Sequence, residues 1–305
     1  MTMPSTEMLS AAYESCRRIT SERAKSFYLG LRLAPEPKRS SLYALYAWNR
    51  LGDDIADDPS IPIETRRMDL SLFADRTSAA CAGSPPDDEP VWKALSDTAA
   101  RYPIDPQWLT DMIDGLRSDL DSIDFTTEGE LRSYCDRVAG SVGRCCVAIW
   151  GVRRESDIER AVDLASRLGF AFQMTNVLRD VGEDASLDPR RCYLPQAWLD
   201  DAGLSLEALL AWRDPVRCET VIRRGVGLAR DAYRAGVELG PLISPRCRPT
   251  LWAMTRVYER TLDLIEADPS RAVRRAHVRP GRSTVLGIAA KAVAMSVLAG
   301  RGGVA

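Results

Sequence analysis

The segment YALYAWNRLGDDIAD, residues 43–57, carries a single helical stripe of polar side chains. Tyr46, Arg50, Asp53 and Asp57 follow at spacings of four, three and four residues, so they share one helix face. Two carboxylates one turn apart destabilise a helix by roughly 0.2–0.5 kcal/mol, and at a C-terminal end they also oppose the helix dipole. A frayed, solvated helix end is one interpretation. Because the apolar residues before the stripe predict a buried helix, we favour a functional requirement instead.

A second stripe of the same kind lies in FQMTNVLRDVGED, residues 172–184. Gln173, Asn176, Asp180 and Asp184 stand at i, i+3, i+7 and i+11, and small apolar residues between positions 162 and 169 precede them on the same face. Polar residues that extend a core-facing stripe are typical of the mouth of a cavity with an apolar inner wall.

Outward from these two segments, helical periodicity dominates the chain, and no run of residues shows a convincing strand alternation. Proline and glycine fall between the helical segments, for example at Pro103, Gly151, Pro195 and Pro241. We therefore predict one all-α domain over residues 1–305. The predicted helices are 8–22, 37–57, 64–82, 89–101, 106–121, 128–150, 155–183, 205–212, 216–239, 246–266 and 283–299.

Composition excludes several classes of protein. The 41 basic and 43 acidic residues nearly cancel, which is unlike a nucleic-acid-binding protein. The single histidine, His277, excludes a His-rich zinc site, and its place in a basic segment predicts a surface loop. Eight scattered cysteines without a CxxC pair, and an N-terminus without the features of a signal peptide, predict reduced thiols in a cytoplasmic protein.

The C-terminal region raises the question of membrane contact. Its apolar stretch, 285–299, is 15 residues long, is interrupted by Lys291, and is shorter than the about 20 residues that a span needs. We predict the last helix of the core, with an amphipathic helix at a membrane surface as the alternative. The basic run from Arg271 to Arg282 is expected to be a solvated face, which could also dock on an anionic membrane.

Two acidic stripes on two helices suit Mg²⁺, which prefers oxygen ligands, keeps several waters and bridges to substrate phosphates. Lys25, Arg50, Arg179 and Arg191 could neutralise the remaining charge of a diphosphate. Diphosphate then becomes a leaving group, and an allylic cation can form in an apolar cavity from which water is excluded.

Five segments in this order and spacing resemble the squalene/phytoene synthase family, the head-to-head prenyltransferases, over about residues 21–291. The resemblance implies a single isoprenoid-synthase-type helical bundle with a central apolar cavity. The segments are AKSFYLG (24–30), YALYAWNRLGDDIAD (43–57), YCDRVAGSVG (134–143), FQMTNVLRDVGED (172–184) and RRCYLP (190–195).

The resemblance also implies residue roles. Mg²⁺, for which Mn²⁺ could substitute, would be held by Asp53, Asp57, Asn176, Asp180 and Asp184. The four aspartates would be catalytic, together with Tyr134, a cavity tyrosine that could assist proton removal. Substrate-binding residues would be Lys25, Ser26, Tyr46, Arg50, Gln173, Arg179, Arg191 and Tyr193. The choice of Arg191 over Arg190 stays open, because the segment before them is slightly longer than in some members.

The activity that the resemblance implies is the condensation of two farnesyl or two geranylgeranyl diphosphates through a cyclopropyl diphosphate, with release of diphosphate. The product would be phytoene (C40), or squalene or dehydrosqualene (C30), and NADPH would be needed only for squalene. Leu31, which is smaller than a large aromatic side chain, favours a deep pocket for C20 substrates, whereas Tyr43 favours a shorter pocket. The alternatives are a head-to-tail polyprenyl diphosphate synthase, a terpene cyclase of the same fold, and a non-catalytic helical scaffold. The sequence does not indicate an oligomeric state.

Overall fold

The structure, a computed structural model, describes residues 6–24, 26–86, 89–274 and 278–301. Within these ranges the chain is almost entirely helical, which confirms the predicted all-α fold. The helices are α1 (Thr6–Arg23), α2 (Ser26–Leu31), α3 (Lys38–Asp57), α4 (Ile63–Cys81), α5 (Pro90–Arg101), α6 (Pro106–Ser118), α7 (Glu128–Cys135), α8 (Ser141–Trp150), α9 (Ile158–Asp184), α10 (Gln196–Ala202), α11 (Leu206–Leu210), α12 (Pro215–Leu242), α13 (Arg248–Ala267) and α14 (Arg282–Arg301). Short 3₁₀ turns occupy Glu155–Asp157, Pro245–Cys247 and Pro269–Ala272.

Helix α3, which bears the first acidic stripe, is anchored by its apolar side. Trp48 is completely buried, stacks on Phe73 with ring centroids 5.6 Å apart, and donates a hydrogen bond from Nε1 to Thr77 Oγ1 at 2.9 Å. Both partners belong to α4, and α3 also packs against α1 and α5. A buried indole with its N–H satisfied stabilises one helix position strongly. The stripe on the opposite side of α3 is therefore held in a fixed direction.

Helix α9, which bears the second acidic stripe, packs along α12 on one side and against α8 on another. The approach to α8 is close because the contact positions are small: a Cβ atom on Gly143 would lie 2.5 Å from the carbonyl oxygen of Ala165. A Cβ atom on Gly169 would collide with the carbonyl oxygen of Ala139. The small residues before the second stripe therefore allow backbone contact between helices.

The predicted helix 128–150 is interrupted by a π turn at Asp136–Gly140, between α7 and α8. Arg144 stabilises the turn, since its Nη1 lies 2.8 Å from Asp136 Oδ1 and its Nη2 lies 3.2 Å from Asp111 Oδ2. π turns inside helices are frequent at functional sites. This one lies beside the cavity described below, with Val138 and Ala139 on the cavity wall.

Two short strands were not predicted, because two residues are too few to show an alternating pattern. β1 (Ile123–Asp124) and β2 (Arg191–Cys192) pair in parallel, with Ile123 opposite Arg191 and Asp124 opposite Cys192. The pair fixes the position of the segment that follows α9. Helices α2 and α10 were also missed, and Pro241, predicted as a break, lies inside the last turn of α12.

The prediction that residues 285–299 form a core helix is wrong. Helix α14 packs on α13 and α2, and Ala292 is buried, but only 6% of its 18-residue apolar window is enclosed by protein. By length and composition alone, Arg282–Ala299 is the one described segment that is long and apolar enough to cross a membrane. Its apolar character therefore serves something other than the protein interior.

Candidate active site

A cavity of about 490 Å³ lies among α3, α6, α8, α9 and α13. Its wall is apolar along the N-terminal halves of α3 and α9 and acidic where these two helices end. The apolar wall includes Leu31, Leu42, Leu45, Val142, Cys146, Trp150, Leu168, Leu239 and Leu251. The polar wall includes Asp53, Asp57, Asp119, Asn176, Asp184 and Arg191.

The end of α3 brings Asp53 and Asp57 to the cavity. Burial, together with repulsion from Asp57, raises the pKa of Asp53 to about 7. The nearest guanidinium on the helix, Arg50, is turned away from the cavity: it pairs with Asp54, and its Nη1 is 3.8 Å from Asp53 Oδ2. Asp53 therefore shares the Arg50 guanidinium with Asp54, which holds it more closely.

The end of α9 contributes Asn176 and Asp184 to the same wall, with Gln173 one turn earlier. Burial, followed by repulsion from Asp180, raises the pKa of Asp184 to about 7. Asp180 itself lies outside the wall and forms a two-pronged ion pair with Arg179, at 2.8 Å (Oδ1–Nε) and 2.5 Å (Oδ2–Nη2). Of the second stripe, Gln173, Asn176 and Asp184 therefore line the cavity, whereas Asp180 lies beside it in an ion pair.

Asn176 supplies the clearest sign of a missing partner. Its Oδ1 is buried and accepts no hydrogen bond from the described part of the chain, although its Nδ2 donates to Gln173 Oε1 at 3.3 Å. An unsatisfied buried carbonyl oxygen costs about 1–3 kcal/mol. A ligand at the cavity mouth would satisfy it.

The two arginines between which the sequence could not choose have different environments. Arg191 is 9% exposed and lines the cavity, with its Nη1 3.0 Å from Asp57 Oδ1 and its Nε donating to the backbone oxygen of Asp119 at 3.1 Å. Arg190 is exposed and pairs with Asp124 at 3.1 Å. Arg190 precedes β2 and points to solvent, whereas Arg191, the first residue of β2, points into the cavity.

An acidic residue that the sequence analysis missed joins the site. Asp119, just beyond α6, accepts hydrogen bonds from Tyr134 Oη (to Oδ2) and Tyr193 Oη (to Oδ1), each at 3.0 Å. The two tyrosine rings stack with centroids 4.9 Å apart. Burial raises the pKa of Asp119 to about 6, against the opposing effects of Arg191 and the two hydroxyls.

The signal for Asp119 was present in the sequence. Met112, Leu116 and Asp119 follow at spacings of four and three residues, so the aspartate extends the buried stripe of α6. This is the same pattern that singled out Asp53 and Asp184. No second carboxylate stands one turn away on that stripe, so Asp119 lacks the paired acids that mark the stripes of α3 and α9.

The structure brings together most of the residues singled out from the sequence. The cavity wall contains Tyr46, Asp53, Asp57, Tyr134, Gln173, Asn176, Asp184, Arg191 and Tyr193. Arg50, Arg179 and Asp180 lie beside the wall in ion pairs. Lys25 and His277 lie outside the described residues, and Ser26 begins α2 without a described side chain.

No three His, Cys, Asp or Glu side chains of the described ranges form a group that could hold a metal ion by themselves. The donors come instead from two helix ends, as Asp53 and Asp57 from α3 and Asn176 and Asp184 from α9. Mg²⁺ is typically bound by one or two carboxylates with waters and substrate phosphates. The donor set fits ions that arrive with a phosphorylated substrate.

Comparison with known proteins gives a consistent result. Residues 20–282 match the family model described as squalene/phytoene synthase. The 15-cis-phytoene synthase of Synechococcus elongatus is 39% identical over 268 residues, which cover 85% of each chain. Phytoene synthase 1 of Zea mays, a chloroplastic protein, is 38% identical over 277 residues, which cover 90% of this chain and 66% of that one.

Solved structures agree on the architecture. A dehydrosqualene synthase in complex with ligand superposes with a TM-score of 0.83 at 27% identity, over 94% of this chain and 97% of that one. The squalene synthase HpnC from Alicyclobacillus acidocaldarius gives a TM-score of 0.75 at 26% identity, over 85% and 94% of the two chains.

Proposed function

Because the chain belongs to the squalene/phytoene synthase family, we propose that it is a Mg²⁺-dependent prenyltransferase that joins two geranylgeranyl diphosphates head to head to give phytoene. The observation that carries the proposal is the cavity, whose apolar wall ends at the carboxylates of α3 and α9. Such a cavity suits a molecule with a long hydrocarbon tail and a strongly anionic head. A scaffold without catalytic function would not need buried carboxylates at its end.

The apolar wall binds the prenyl chains. Each buried methylene contributes about 0.8 kcal/mol, so a tail of this kind is held chiefly by the hydrophobic effect. Residues such as Leu42, Val142 and Leu168 also keep water away from the reacting carbons. Exclusion of water matters because a carbocation would otherwise be quenched.

The acidic end binds the diphosphates. Asp53, Asp57, Asn176 and Asp184 would hold Mg²⁺, which neutralises the diphosphate and so makes it a leaving group. Arg191 adds a fixed guanidinium beside Asp57, and its three remaining N–H groups can donate to phosphate oxygens. Both contributions stabilise charge that develops as the carbon–oxygen bond breaks.

The two tyrosines and Asp119 offer a route for the proton lost when the cyclopropane ring forms. Burial and the charge of Asp119 raise the pKa of Tyr134 well above its usual value, so its hydroxyl is neutral and is itself a weak base. A proton accepted at Tyr134 Oη can pass to Asp119 Oδ2, 3.0 Å away, as the hydroxyl releases its own proton. Asp119 is thus the acceptor, and Tyr134 relays the proton to it.

The cavity wall and the relatives both support the choice of C20 substrates in this proposal. Leu31 lines the cavity, whereas Tyr43 is buried outside it, stacked on Tyr28 with ring centroids 5.6 Å apart. The argument for a shorter pocket that rested on Tyr43 therefore loses its basis. The relatives at 38–39% identity are phytoene synthases, whereas the C30 synthases are 26–27% identical.

The test is a product assay with purified full-length protein. Geranylgeranyl and farnesyl diphosphate are supplied separately, each with Mg²⁺ or with EDTA, and each with or without NADPH, and the extracted lipids are analysed by mass spectrometry. We expect a C40 hydrocarbon from geranylgeranyl diphosphate that requires Mg²⁺ and not NADPH. A C30 product alone would contradict the substrate, activity in EDTA would contradict the metal, and a longer linear diphosphate would contradict head-to-head joining.

A further inference from the structure

Helix α14 carries an apolar face that no described part of the chain covers. Leu286, Val293, Val297 and Leu298 are 65%, 51%, 51% and 68% exposed, and we call these four side chains the α14 face. The helix contacts α13 and α2 through its other side, where Ala292 is buried. Leu286, Val293 and Val297 stand at i, i+7 and i+11 and so share one side of the helix, with Leu298 next to Val297. An exposed apolar surface of this kind marks a site of interaction.

The surroundings of the α14 face are basic. Residues 271–305 contain seven arginines and lysines and no aspartate or glutamate. Arg279 and Arg282 are exposed just before and at the start of α14, and Lys291 lies halfway along it, with its Nζ 5.1 Å from the ring centroid of Trp252. The occupant of this surface should therefore combine an apolar interior with negative charge.

A groove of about 410 Å³ between α13 and α14 adds to this pattern. Arg256 and Arg260 line it together with Lys291. The two arginines are partly balanced on α13 itself, by Glu259 at 2.6 Å and Asp263 at 2.8 Å. The groove thus keeps an excess of positive charge next to the α14 face.

We propose that the α14 face docks on the surface of an anionic lipid bilayer, with the helix lying in the plane of the interface. The four apolar side chains enter the acyl boundary while Arg279, Arg282 and Lys291 contact the headgroups. Docking places the protein at the lipid phase that dissolves a C40 hydrocarbon. This benefit rests on the proposed function, whereas the observations that support docking are independent of that function.

Two other occupants fit less well. In a symmetric dimer the same patch faces itself, which would set the acid-free basic segment against its own copy. A transmembrane α14 would have to leave its contacts with α13 and α2 and would place Lys291 near the middle of the bilayer, where a charge is costly. The bilayer surface satisfies both the apolar face and the charge.

The experiment is co-sedimentation of the full chain with vesicles of phosphatidylcholine alone or mixed with phosphatidylglycerol. We expect binding to the anionic vesicles that weakens as salt is raised. Leu286→Asp should lower the affinity by at least about tenfold, and Arg279→Gln and Arg282→Gln by about fivefold each. The matched control is Met68→Asp, which places the same charge at a side chain that is also 65% exposed, on α4.

Three results would overturn the proposal. One is equal vesicle binding by the wild type and Leu286→Asp, or no binding by either. Another is a wild-type dimer in analytical ultracentrifugation that Leu286→Asp dissociates without any change in vesicle binding. The third is protein that stays with membranes in alkaline carbonate, which would indicate a spanning helix. Circular dichroism and thermal melts of each variant separate these results from misfolding, and none of them bears on product formation in the assay above.

Discussion

Arg191 Nη1 lies 3.0 Å from Asp57 Oδ1, and this contact joins the strand after α9 to the acidic end of α3 across 134 positions of the sequence. The same guanidinium is held from the other side by the backbone oxygen of Asp119. The contact therefore connects the acidic end of α3 with the group formed by Asp119, Tyr134 and Tyr193. Its substitution tests whether the three parts act together.

Arg191→Gln should lower kcat/KM by about a hundredfold or more, because it removes a cation that faces the leaving group and leaves Asp57 without its partner. Arg190→Gln is the matched control. It removes the same charge from the neighbouring residue, whose ion pair with Asp124 lies at the protein surface. Steady-state kinetics of both variants decide the point. Equal activities would show that Arg191 has only a structural role.

Asp57→Asn should reduce kcat/KM by at least about a hundredfold, since charge neutralisation at a leaving diphosphate is worth several kcal/mol. The substitution keeps the shape of the side chain and can still accept from Arg191. Asp114→Asn, on the exposed side of α6 in an ion pair with Arg117, should leave activity unchanged. A Mg²⁺ titration of the residual activity should show a higher requirement for the ion in Asp57→Asn alone.

The stability of the metal-free protein should report the buried carboxyl of Asp119. Its pKa is raised to about 6 in the folded state, so the native protein holds this proton more tightly than the unfolded chain does. Its contribution to stability is therefore present below about pH 4 and is lost as the pH rises to 6. Over that range, the free energy of unfolding of the wild type should fall by about 3 kcal/mol relative to that of Asp119→Asn. The figure follows because the pKa is raised by about two units and one unit corresponds to about 1.4 kcal/mol.

Urea unfolding in EDTA at several pH values measures this difference. Asp121→Asn, two residues away and exposed in a pair with Arg67, should run parallel to the wild type. A difference between wild type and Asp119→Asn that does not change with pH would contradict the assignment.

Gly169→Ala should destabilise the protein by about 1–3 kcal/mol, because the added methyl group collides with the backbone of the π turn, which cannot move like a side chain. Gly227→Ala is the control in the middle of α12, where a Cβ meets nothing within 4 Å. That substitution should instead stabilise by about 0.5–1 kcal/mol, the helical preference of alanine over glycine. Chemical denaturation distinguishes the two signs, and a neutral effect at Gly169 would mean that the helices can separate freely.

Leu31→Phe should shift substrate preference towards the shorter prenyl diphosphate, because a phenyl ring takes space from the apolar wall of the cavity. We expect the ratio of kcat/KM for geranylgeranyl over farnesyl diphosphate to fall by roughly tenfold or more. Leu33→Phe, at a half-buried position outside the wall, is the control. The ratio is measured with both substrates in competition, and an unchanged ratio would place the limit on chain length elsewhere.

The sequence by itself determined most of the helices, the two acidic stripes and the apolar faces above them. Asp53 and Asp57, or Asn176 and Asp184, are related by the fixed rotation of a helix, so their common direction follows from spacing alone. The order of the motifs was specific enough to indicate the family. Each of these conclusions depends on residues that are close in the chain.

Tertiary packing decided what spacing cannot express. It brought Asp119 to Tyr193, 74 positions away, turned Arg191 inward and Arg190 outward, and paired Asp180 with Arg179 beside the cavity. It also left α14 on the surface, although its apolar composition predicts a core helix. The physical reason is that burial and charge pairing depend on which distant elements come into contact. The spacing of residues along a helix predicts only which side chains share one face of it, and not what that face contacts.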